Sequence, residues 1–237
     1  MLSWRTAGLD AAVAEAAPAA VELRVIPGSL PNPSWWQLRL RRLISLAVAV
    51  PAVVVLAPVM VAIAVLVKLT SRGPVLFRHH RVRQGGATFT MLKFRTMREG
   101  TVEWIRQDPE RWAAYTANGY KAPAEFRRVT ALGKVLRKTS LDELPQLLNV
   151  LRGEMSIVGV RPRVRTEYLA LPERSRVLYG LLEPGMTGLW QVEGRSSLGS
   201  DASLALEDHY VAGWNPWLVV VRIARTPAAV ARVHEAA

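Results

Sequence analysis

The side chains best suited to covalent or acid–base chemistry are two adjacent acids, Asp142 and Glu143, in the segment KTSLDELPQ at residues 138–146. A carboxylate that approaches a diphosphate meets charge repulsion, which neighbouring cations or a bound Mg²⁺ must neutralise before in-line attack on phosphorus. Covalent aspartyl phosphate chemistry is a known solution to that problem. Three cations that can hold phosphate oxygens lie just upstream, at Lys134, Arg137 and Lys138.

The same acids also have a structural explanation. Ser140 and Glu143 have the spacing of a capping box, and acids in a first turn favour the helix dipole. We therefore expect a helix that begins at Ser140, carries an apolar stripe of leucines, and ends at Arg152-Gly153. A helix cap does not exclude catalysis, so both explanations stay open.

Basic motifs suited to phosphate occur in two other segments. If residues 91–97 (MLKFRTM) form a strand, the two-residue period places Lys93 and Arg95 on one face. The alternative is a solvated edge strand guarded by its cations. Farther along, the motif Arg161-Pro162-Arg163 offers paired guanidinium groups on a restricted backbone.

Residues 184–195 (PGMTGLWQVEGR) combine glycines, an aromatic plane and polar side chains. Such a segment can shape a nucleotide or sugar pocket, although a structural turn is equally compatible with it.

An apolar segment of 25 residues without a charge runs from Leu43 to Val67, and as a helix it would cover roughly 37 Å. Pro51 and Pro58 each remove a helical donor, which predicts a bend and suits a helix that enters the membrane and returns. Basic residues flank both ends, so the positive-inside rule places both on the cytoplasmic side. A single span with a proline kink is the alternative.

The remaining pattern predicts an α+β fold that is mostly helical. Two β-leaning runs, Val75 to Val82 and Thr88 to Phe94, are separated by a Gln-Gly-Gly turn. Further helices are expected from Asp108-Pro109 towards Thr116, over 165–182 and 203–214, with an interfacial amphipathic stretch at 217–233. We divide the chain into a weakly ordered lead-in (1–34), a membrane-anchoring re-entrant helix with basic flanks (35–70) and a small cytosolic catalytic domain (71–237).

Composition limits the function classes. The 237 residues carry a formal net charge of +12, which favours polyanionic partners such as anionic lipid, nucleic acid or phosphorylated small molecules. The absence of cysteine excludes disulfides, thiol nucleophiles and thiolate metal sites, and four histidines leave little material for zinc.

Taken together, these segments resemble the bacterial sugar transferase family, the monotopic phosphoglycosyl transferases that begin polysaccharide and glycoconjugate assembly. The resemblance covers roughly residues 36 to 226. It is most specific in KFRTM at 93–97, LRKTSLDELPQ at 136–146 and PGMTGLWQV at 184–192. It implies a re-entrant membrane helix, a catalytic domain on the cytoplasmic face of the bacterial membrane, and an Asp-Glu dyad with Mg²⁺.

The resemblance also implies residue roles. Asp142 would attack the sugar-proximal phosphate of a UDP-sugar, UMP would leave, and the phosphosugar would pass to polyprenyl phosphate, with undecaprenyl phosphate as the expected acceptor. Glu143 would assist proton transfer or, with Asp142, position the metal. An oligomer is possible, and no nucleic-acid partner is expected. The expected substrate-binding residues are Lys93, Arg95, Thr96, Arg137, Arg161, Pro162, Arg163, Thr187, Gln191 and Arg195.

Two other functions remain to be tested. One is a non-enzymatic, membrane-tethered adaptor whose basic surface binds anionic lipid or nucleic acid; its support is charge alone, because no nucleic-acid motif is visible. The other is an enzyme that transfers a bare sugar, which would release UDP instead of UMP.

Overall fold

A computed structural model describes residues 33–117, 122, 126, 128–188, 200–215, 217 and 219–221. Within these residues the fold is α+β and mostly helical, as predicted. The elements are α1 (Trp35–Thr70), β1 (Leu76–Val82), β2 (Thr88–Phe94), α2 (Thr101–Arg106), α3 (Pro109–Ala117), α4 (Ala131–Lys138), α5 (Gln146–Arg152), β3 (Ser156–Val158), α6 (Arg165–Leu169), α7 (Glu173–Leu181), β4 (Gly185–Thr187) and α8 (Ser200–Ala212).

Helix α1 contains the whole predicted apolar segment and both internal prolines. Its 36 residues would extend roughly 54 Å if the helix were straight. In the described part of the chain it is the one helix long and apolar enough to cross a membrane, judged by length and composition. Side chains in its middle are exposed, with Val54 at 69% and Val55 at 72%, which indicates a surface that lipid can cover.

Both halves of α1 pack against the domain that follows it. In the first half, buried Ala49 joins the main hydrophobic core together with Ile44 and Val48. In the second half, Ile63 and Val67 are buried in a smaller cluster with Phe94 and Leu136. The domain therefore contacts α1 on both sides of the two prolines.

Polar contacts fix the start of α1. The guanidinium group of Arg41 is buried and donates to the carbonyl groups of Val158, at 2.9 Å, and Glu183, at 2.6 Å. Arg42 donates to two carbonyls at the end of α5, those of Val150 and Leu151, and so satisfies groups that a helix C-terminus leaves unpaired.

The predicted β-hairpin is confirmed. Strands β1 and β2 pair antiparallel, with Leu76 opposite Phe94 and Val82 opposite Thr88. The connecting Gln84–Gly86 turn places Gly85 at φ 72°, a left-handed conformation that glycine adopts without steric cost. Pairing fixes the register of the basic residues on β2, and the main core covers Phe89 and Met91.

The second sheet is small and parallel, with β3 beside β4. The helix predicted at 165–182 is instead two helices, α6 and α7, and the expectation of one helix was wrong because Pro172 lacks the amide hydrogen needed to continue it. Helix α3 begins at Pro109 as predicted: the Asp108 carboxylate accepts from the amides of Glu110 and Arg111.

Candidate active site

The turn that carries the acids differs from the predicted helix start. Ser140 has φ 57°, in the left-handed region, and its side chain makes no capping hydrogen bond. Residues Leu141–Glu143 form a single 3₁₀ turn, and α5 begins only at Gln146. The capping-box prediction at Ser140 was therefore wrong. The helix does not begin at Ser140 because Pro145 cannot donate the amide hydrogen bond that such a helix would need at that position. The predicted end of α5 at Gly153, with φ 77°, is confirmed.

The turn gives the two acids different surroundings. Asp142 is buried, with 9% of its surface exposed, whereas the Glu143 side chain is 35% exposed. The pKa of Asp142 is raised above its ordinary value, mainly by burial and also by Glu143, while the charges of Lys93 and Arg137 oppose the increase. Two cations from separate elements thus offset part of the desolvation of one carboxylate.

Strand β2 brings Lys93 to the dyad. Its ammonium group lies 2.7 Å from Glu143 Oε1, and both side chains are partly accessible to solvent. The ion pair joins residues that are 50 positions apart in the sequence. An anionic ligand at this position would meet an ammonium group that Glu143 already orients.

Helix α4 supplies Arg137, whose Nε donates to Thr96 Oγ1 at 2.8 Å. This contact depends on a close approach of α4 to the end of β2. A Cβ atom added at Gly133 would lie 2.1 Å from the Thr96 carbonyl oxygen, so only glycine fits there. The N-cap of α4 is Thr130, whose hydroxyl accepts from the Gly133 amide at 2.9 Å.

The structure thus brings together five of the predicted site residues: Asp142, Glu143, Lys93, Thr96 and Arg137. Arg95 points elsewhere. Its Nη2 donates to the carbonyl and the hydroxyl of Ser71, at 2.8 and 2.9 Å, beyond the end of α1.

The Arg161-Pro162-Arg163 segment contacts α8. Arg163 Nη2 lies 2.7 Å from the carboxylate of Glu207, which is 4% exposed, and the Arg161 amide donates to the same carboxylate. The Pro162 carbonyl accepts from Arg81. Much of the hydrogen-bonding capacity of this segment is therefore used within the protein.

Of the other predicted donor-site residues, Thr187 is buried in β4, and its carbonyl accepts from the Gly159 amide at 2.9 Å. Gln191 and Arg195 lie outside the described residues.

Two further residues, one on α5 and one on β1, were not singled out in the sequence. Asn149 is completely buried, and its side chain accepts from the Leu92 amide at 3.0 Å and donates to the Thr90 carbonyl at 2.8 Å. It thereby joins α5 to the strand that carries Lys93. The available signal was one amide residue among the leucines of the α5 stripe.

His79 is the second. It lies on β1 opposite Met91, and its Nδ1 is 3.2 Å from Arg81 Nη2. Burial, Arg81, Lys93 and His80 lower its pKa to about 3, so the imidazole is neutral at physiological pH. The signal available in the sequence was a pair of adjacent histidines in a predicted strand.

The dyad has donor chemistry that fits a magnesium ion. Mg²⁺ prefers oxygen ligands and usually binds through one or two carboxylates together with substrate phosphates and water. Asp142 and Glu143 supply two such carboxylates, although Lys93 already contacts Glu143 Oε1. Within the described residues there is no cluster of three or more acidic, histidine or cysteine side chains able to form a larger metal site.

The chain is similar in sequence to a known protein family and to several known bacterial proteins. The family model described as "Bacterial sugar transferase" matches residues 36–233. The chain is 38% identical over 194 residues to the exopolysaccharide production protein ExoY of Sinorhizobium fredii, covering 80% of this chain and 84% of that protein. It is 40% identical to ExoY of Rhizobium meliloti, covering 76% and 80% of the two chains. A UDP-glucose:undecaprenyl-phosphate glucose-1-phosphate transferase of Caulobacter vibrioides is 36% identical, with 78% and 67% covered.

Proposed function

Because the chain belongs to the bacterial sugar transferase family, we propose that it transfers a sugar 1-phosphate from a UDP-sugar to undecaprenyl phosphate and so initiates exopolysaccharide synthesis. It is a phosphoglycosyl transferase, and the membership removes the non-enzymatic adaptor as an explanation of the basic surface. A sugar 1-phosphate transferase releases UMP, so the bare-sugar alternative, which releases UDP, is also disfavoured.

One observation carries the mechanism: a buried carboxylate, Asp142, lies within the electrostatic reach of Lys93 and Arg137. In the proposed first step, an Asp142 oxygen attacks the sugar-proximal phosphorus and the bond from that phosphorus to the UMP oxygen breaks. UMP leaves with the bonding electron pair. In the second step, an oxygen of the lipid phosphate attacks the same phosphorus, the aspartyl bond breaks, and the Asp142 carboxylate is regenerated.

The neighbouring side chains have separate roles in this scheme. Lys93 and Arg137 neutralise phosphate oxygens, which lowers the repulsion between the donor diphosphate and the attacking carboxylate. Thr96 holds the Arg137 guanidinium in place through its hydroxyl group. Glu143 fixes the Lys93 ammonium and is available to accept a proton.

Magnesium is proposed as the cofactor, held by Asp142 and Glu143. When bound, it would supply Lewis-acid neutralisation of the diphosphate. The fit of the two carboxylates to its ligand preferences supports this assignment.

The remaining predicted residues are proposed to form the site of the donor nucleotide and sugar. Some of these residues already make contacts within the protein, so we propose that they position the donor site and do not bind the donor themselves. They are Arg95 and the Arg161-Pro162-Arg163 segment. The other residues proposed for the donor site are Thr187, Gln191 and Arg195.

We further propose that α1 enters and leaves the membrane on the cytoplasmic face, so that the catalytic domain lies against that face. Support comes from the contacts at its two ends. Arg41 near the start and Ser71 after the end both bind the same domain, as expected for a helix whose two ends lie on one face. The basic flanks add the expected positive-inside bias.

The test is to trap the enzyme with donor alone. We would incubate the full chain in lipid nanodiscs with Mg²⁺ and a panel of UDP-sugars, measure UMP and UDP, and search for a phosphosugar on Asp142 by mass spectrometry. The expected result is UMP release and an adduct on Asp142, both abolished by Asp142→Asn. UDP release, or full activity of Asp142→Asn, would contradict the proposal.

A further inference from the structure

A cavity of about 610 Å³ lies at the C-terminal end of α1. It is lined by residues from three segments: the end of α1, the loop after β2, and the segment before α4. The lining residues that matter here are Ser71, Arg72, Arg98, Glu99, Arg128 and Thr130. The cavity is therefore formed by parts of the chain that the fold brings together at the membrane helix.

The cavity is strongly basic. Three of its lining residues are arginines and one, Glu99, is acidic. Within the described part of the chain these three arginines form no ion pair, although Arg128 also lies over the Trp104 ring at 5.7 Å. Behind Ser71, the buried Arg95 adds a fourth positive charge, and its Nε and Nη1 have no hydrogen-bond partner among the residues that the structure describes. This charge favours an anionic ligand.

The wall of the cavity is held by backbone pairing. The Arg98 amide donates to the Arg128 carbonyl at 2.8 Å, and the Thr130 amide donates to the Thr96 carbonyl at 3.0 Å. Between these bonds, Met97 and Val129 form an antiparallel bridge. The arginine side chains thus project from a fixed framework, which lowers the entropic cost of binding a ligand.

The cavity also lies beside apolar surface. In the last turns of α1, Leu66 is 46% exposed and Leu69 is 77% exposed. If α1 is in the membrane, these side chains lie in the acyl region and the cavity lies at the level of the headgroups. A lipid chain can then follow α1 while its phosphate enters the basic cavity.

The cavity is separate from the dyad but linked to it. Helix α4 has Thr130 at its start, in the cavity wall, and Arg137 near its end, at the dyad, which corresponds to roughly 10 Å along the helix axis. Thr96 lies between them: its carbonyl accepts from Thr130 and its hydroxyl accepts from Arg137. A phosphate in the cavity is therefore not the phosphate under attack at Asp142.

We propose that this cavity binds the phosphate group of a membrane lipid, at a position distinct from the catalytic dyad. A polyprenyl phosphate and an anionic phospholipid share the necessary chemistry, namely an anionic phosphate at the end of an apolar chain. The binding itself does not depend on the proposed reaction. If the bound lipid is the acceptor, the cavity holds it before its phosphate reaches Asp142, and that assignment rests on the proposed function.

The experiment compares Arg98→Gln/Arg128→Gln with the wild type, using Arg174→Gln, an exposed arginine on α7, as the matched control. The full chain would be held in phosphatidylcholine nanodiscs, and Kd measured for farnesyl phosphate, dioctanoyl phosphatidylglycerol and inorganic phosphate. Each lost charge near a membrane surface costs about 1 kcal/mol, so we expect binding of an anionic lipid to weaken by about tenfold or more.

The probes distinguish the two sources. Weakening for farnesyl phosphate alone identifies a site selective for polyprenyl phosphate, and weakening that includes phosphatidylglycerol identifies a general lipid-phosphate site. The variant Arg98→Lys/Arg128→Lys keeps both charges and should restore binding. If it binds as weakly as the double Gln variant, lost packing on Trp104 explains the effect and the proposal is wrong. Equal binding of both lipids by the wild type and the double Gln variant, or weakening confined to inorganic phosphate, would overturn the proposal.

UMP release with donor alone separates this proposal from the proposed function. The double Gln variant should retain UMP release within about twofold of wild type, because that step needs no acceptor. If the wild type releases no UMP from any UDP-sugar, the proposed function fails while the binding measurements still decide the cavity. If the variant loses UMP release as severely as Asp142→Asn, the cavity is part of the donor site and the proposal is wrong.

Discussion

The ammonium group of Lys93 lies 2.7 Å from the Glu143 carboxylate and so joins strand β2 to the turn that carries the dyad. The contact orients the Glu143 side chain toward β2, while the neighbouring Asp142 side chain is buried. Although the acids are adjacent in sequence, their environments differ because one is solvated and neutralised by an ion pair while the other is desolvated. This separation supports different chemical roles for the two carboxylates.

The ion pair predicts that Lys93→Met will lower the rate of UMP release by about a hundredfold or more, because phosphate neutralisation and the orientation of Glu143 are both lost. The same change should raise the pKa of Asp142 further, because in the wild type the Lys93 charge lowers that pKa and opposes the effect of burial. The measurement is the pH profile of the donor half-reaction. Arg174→Met, which removes an exposed cation on α7, is the control. An activity within twofold of wild type would show that Lys93 has no such role.

The raised pKa of Asp142 predicts opposite effects of pH on stability and on nucleophilicity. The folded state binds the Asp142 proton more tightly than the unfolded state, so this group lowers the free energy of unfolding as pH rises through its pKa. Nucleophilic carboxylate increases over the same range. We therefore expect Asp142→Asn to be inactive yet more stable than wild type at pH 7, with a gain that shrinks towards pH 4. Thermal unfolding across pH measures it, and a destabilised Asn variant at pH 7 would contradict the expectation.

His79 predicts a pH effect of the other sign. Its pKa falls to about 3 in the folded protein, so the stability it contributes is present above its ordinary value of 6.5 and is lost as pH falls towards 3. At pH 5 the loss should be on the order of 1–2 kcal/mol. His79→Gln should reduce this dependence, whereas His80→Gln, at the exposed neighbouring position, should not. The prediction fails if both variants follow the wild-type curve from pH 7 to pH 5.

The sequence predicted local structure well where pattern and turn chemistry agree. Two β-leaning runs separated by a Gln-Gly-Gly turn are sufficient to predict the β1–β2 hairpin, and Gly153 after Arg152 is sufficient to predict the end of α5. Near Ser140 the capping-box spacing was misleading, because Pro145 prevents the first turn from continuing as a helix. The capping-box spacing favours a helix from Ser140 and Pro145 disfavours it, and the proline has the larger effect.

Only some of the predicted site residues lie together in the structure. Motif spacing and family resemblance identified the dyad, Lys93 and Arg137, which the fold brings together, and the family match confirms the predicted activity. The partners of Arg95 and Arg163 are Ser71 and Glu207, which lie 24 and 44 positions away. The local sequence contains no signal for such long-range contacts. The sequence alone therefore does not show whether an isolated cation binds a ligand or another part of the protein.

Asn149 predicts a stability effect that reaches the site. Its amide group makes three hydrogen bonds, to the Leu92 amide, the Thr90 carbonyl and the Glu154 carboxylate. Asn149→Ala leaves the buried Leu92 amide without its acceptor and removes the bonds to the two partly buried groups, which should cost about 2–4 kcal/mol. Asn149→Asp keeps the acceptor for Leu92 but adds repulsion with Glu154, so it should also destabilise. Chemical unfolding checks this, and a change below 0.5 kcal/mol, roughly the level of a surface substitution, would refute it.

The contacts at the two ends of α1 predict a topology that can be measured directly. Because the native chain has no cysteine, Trp36→Cys and Arg72→Cys each introduce a unique label site, one at each end of the helix. Both positions should react with a membrane-impermeant maleimide in inverted vesicles and neither in intact spheroplasts, since Arg41 and Ser71 bind the same domain. Val55→Cys, in the exposed apolar middle, is the control and should be protected in both preparations. Labelling of the two ends from opposite sides would mean that α1 spans the membrane.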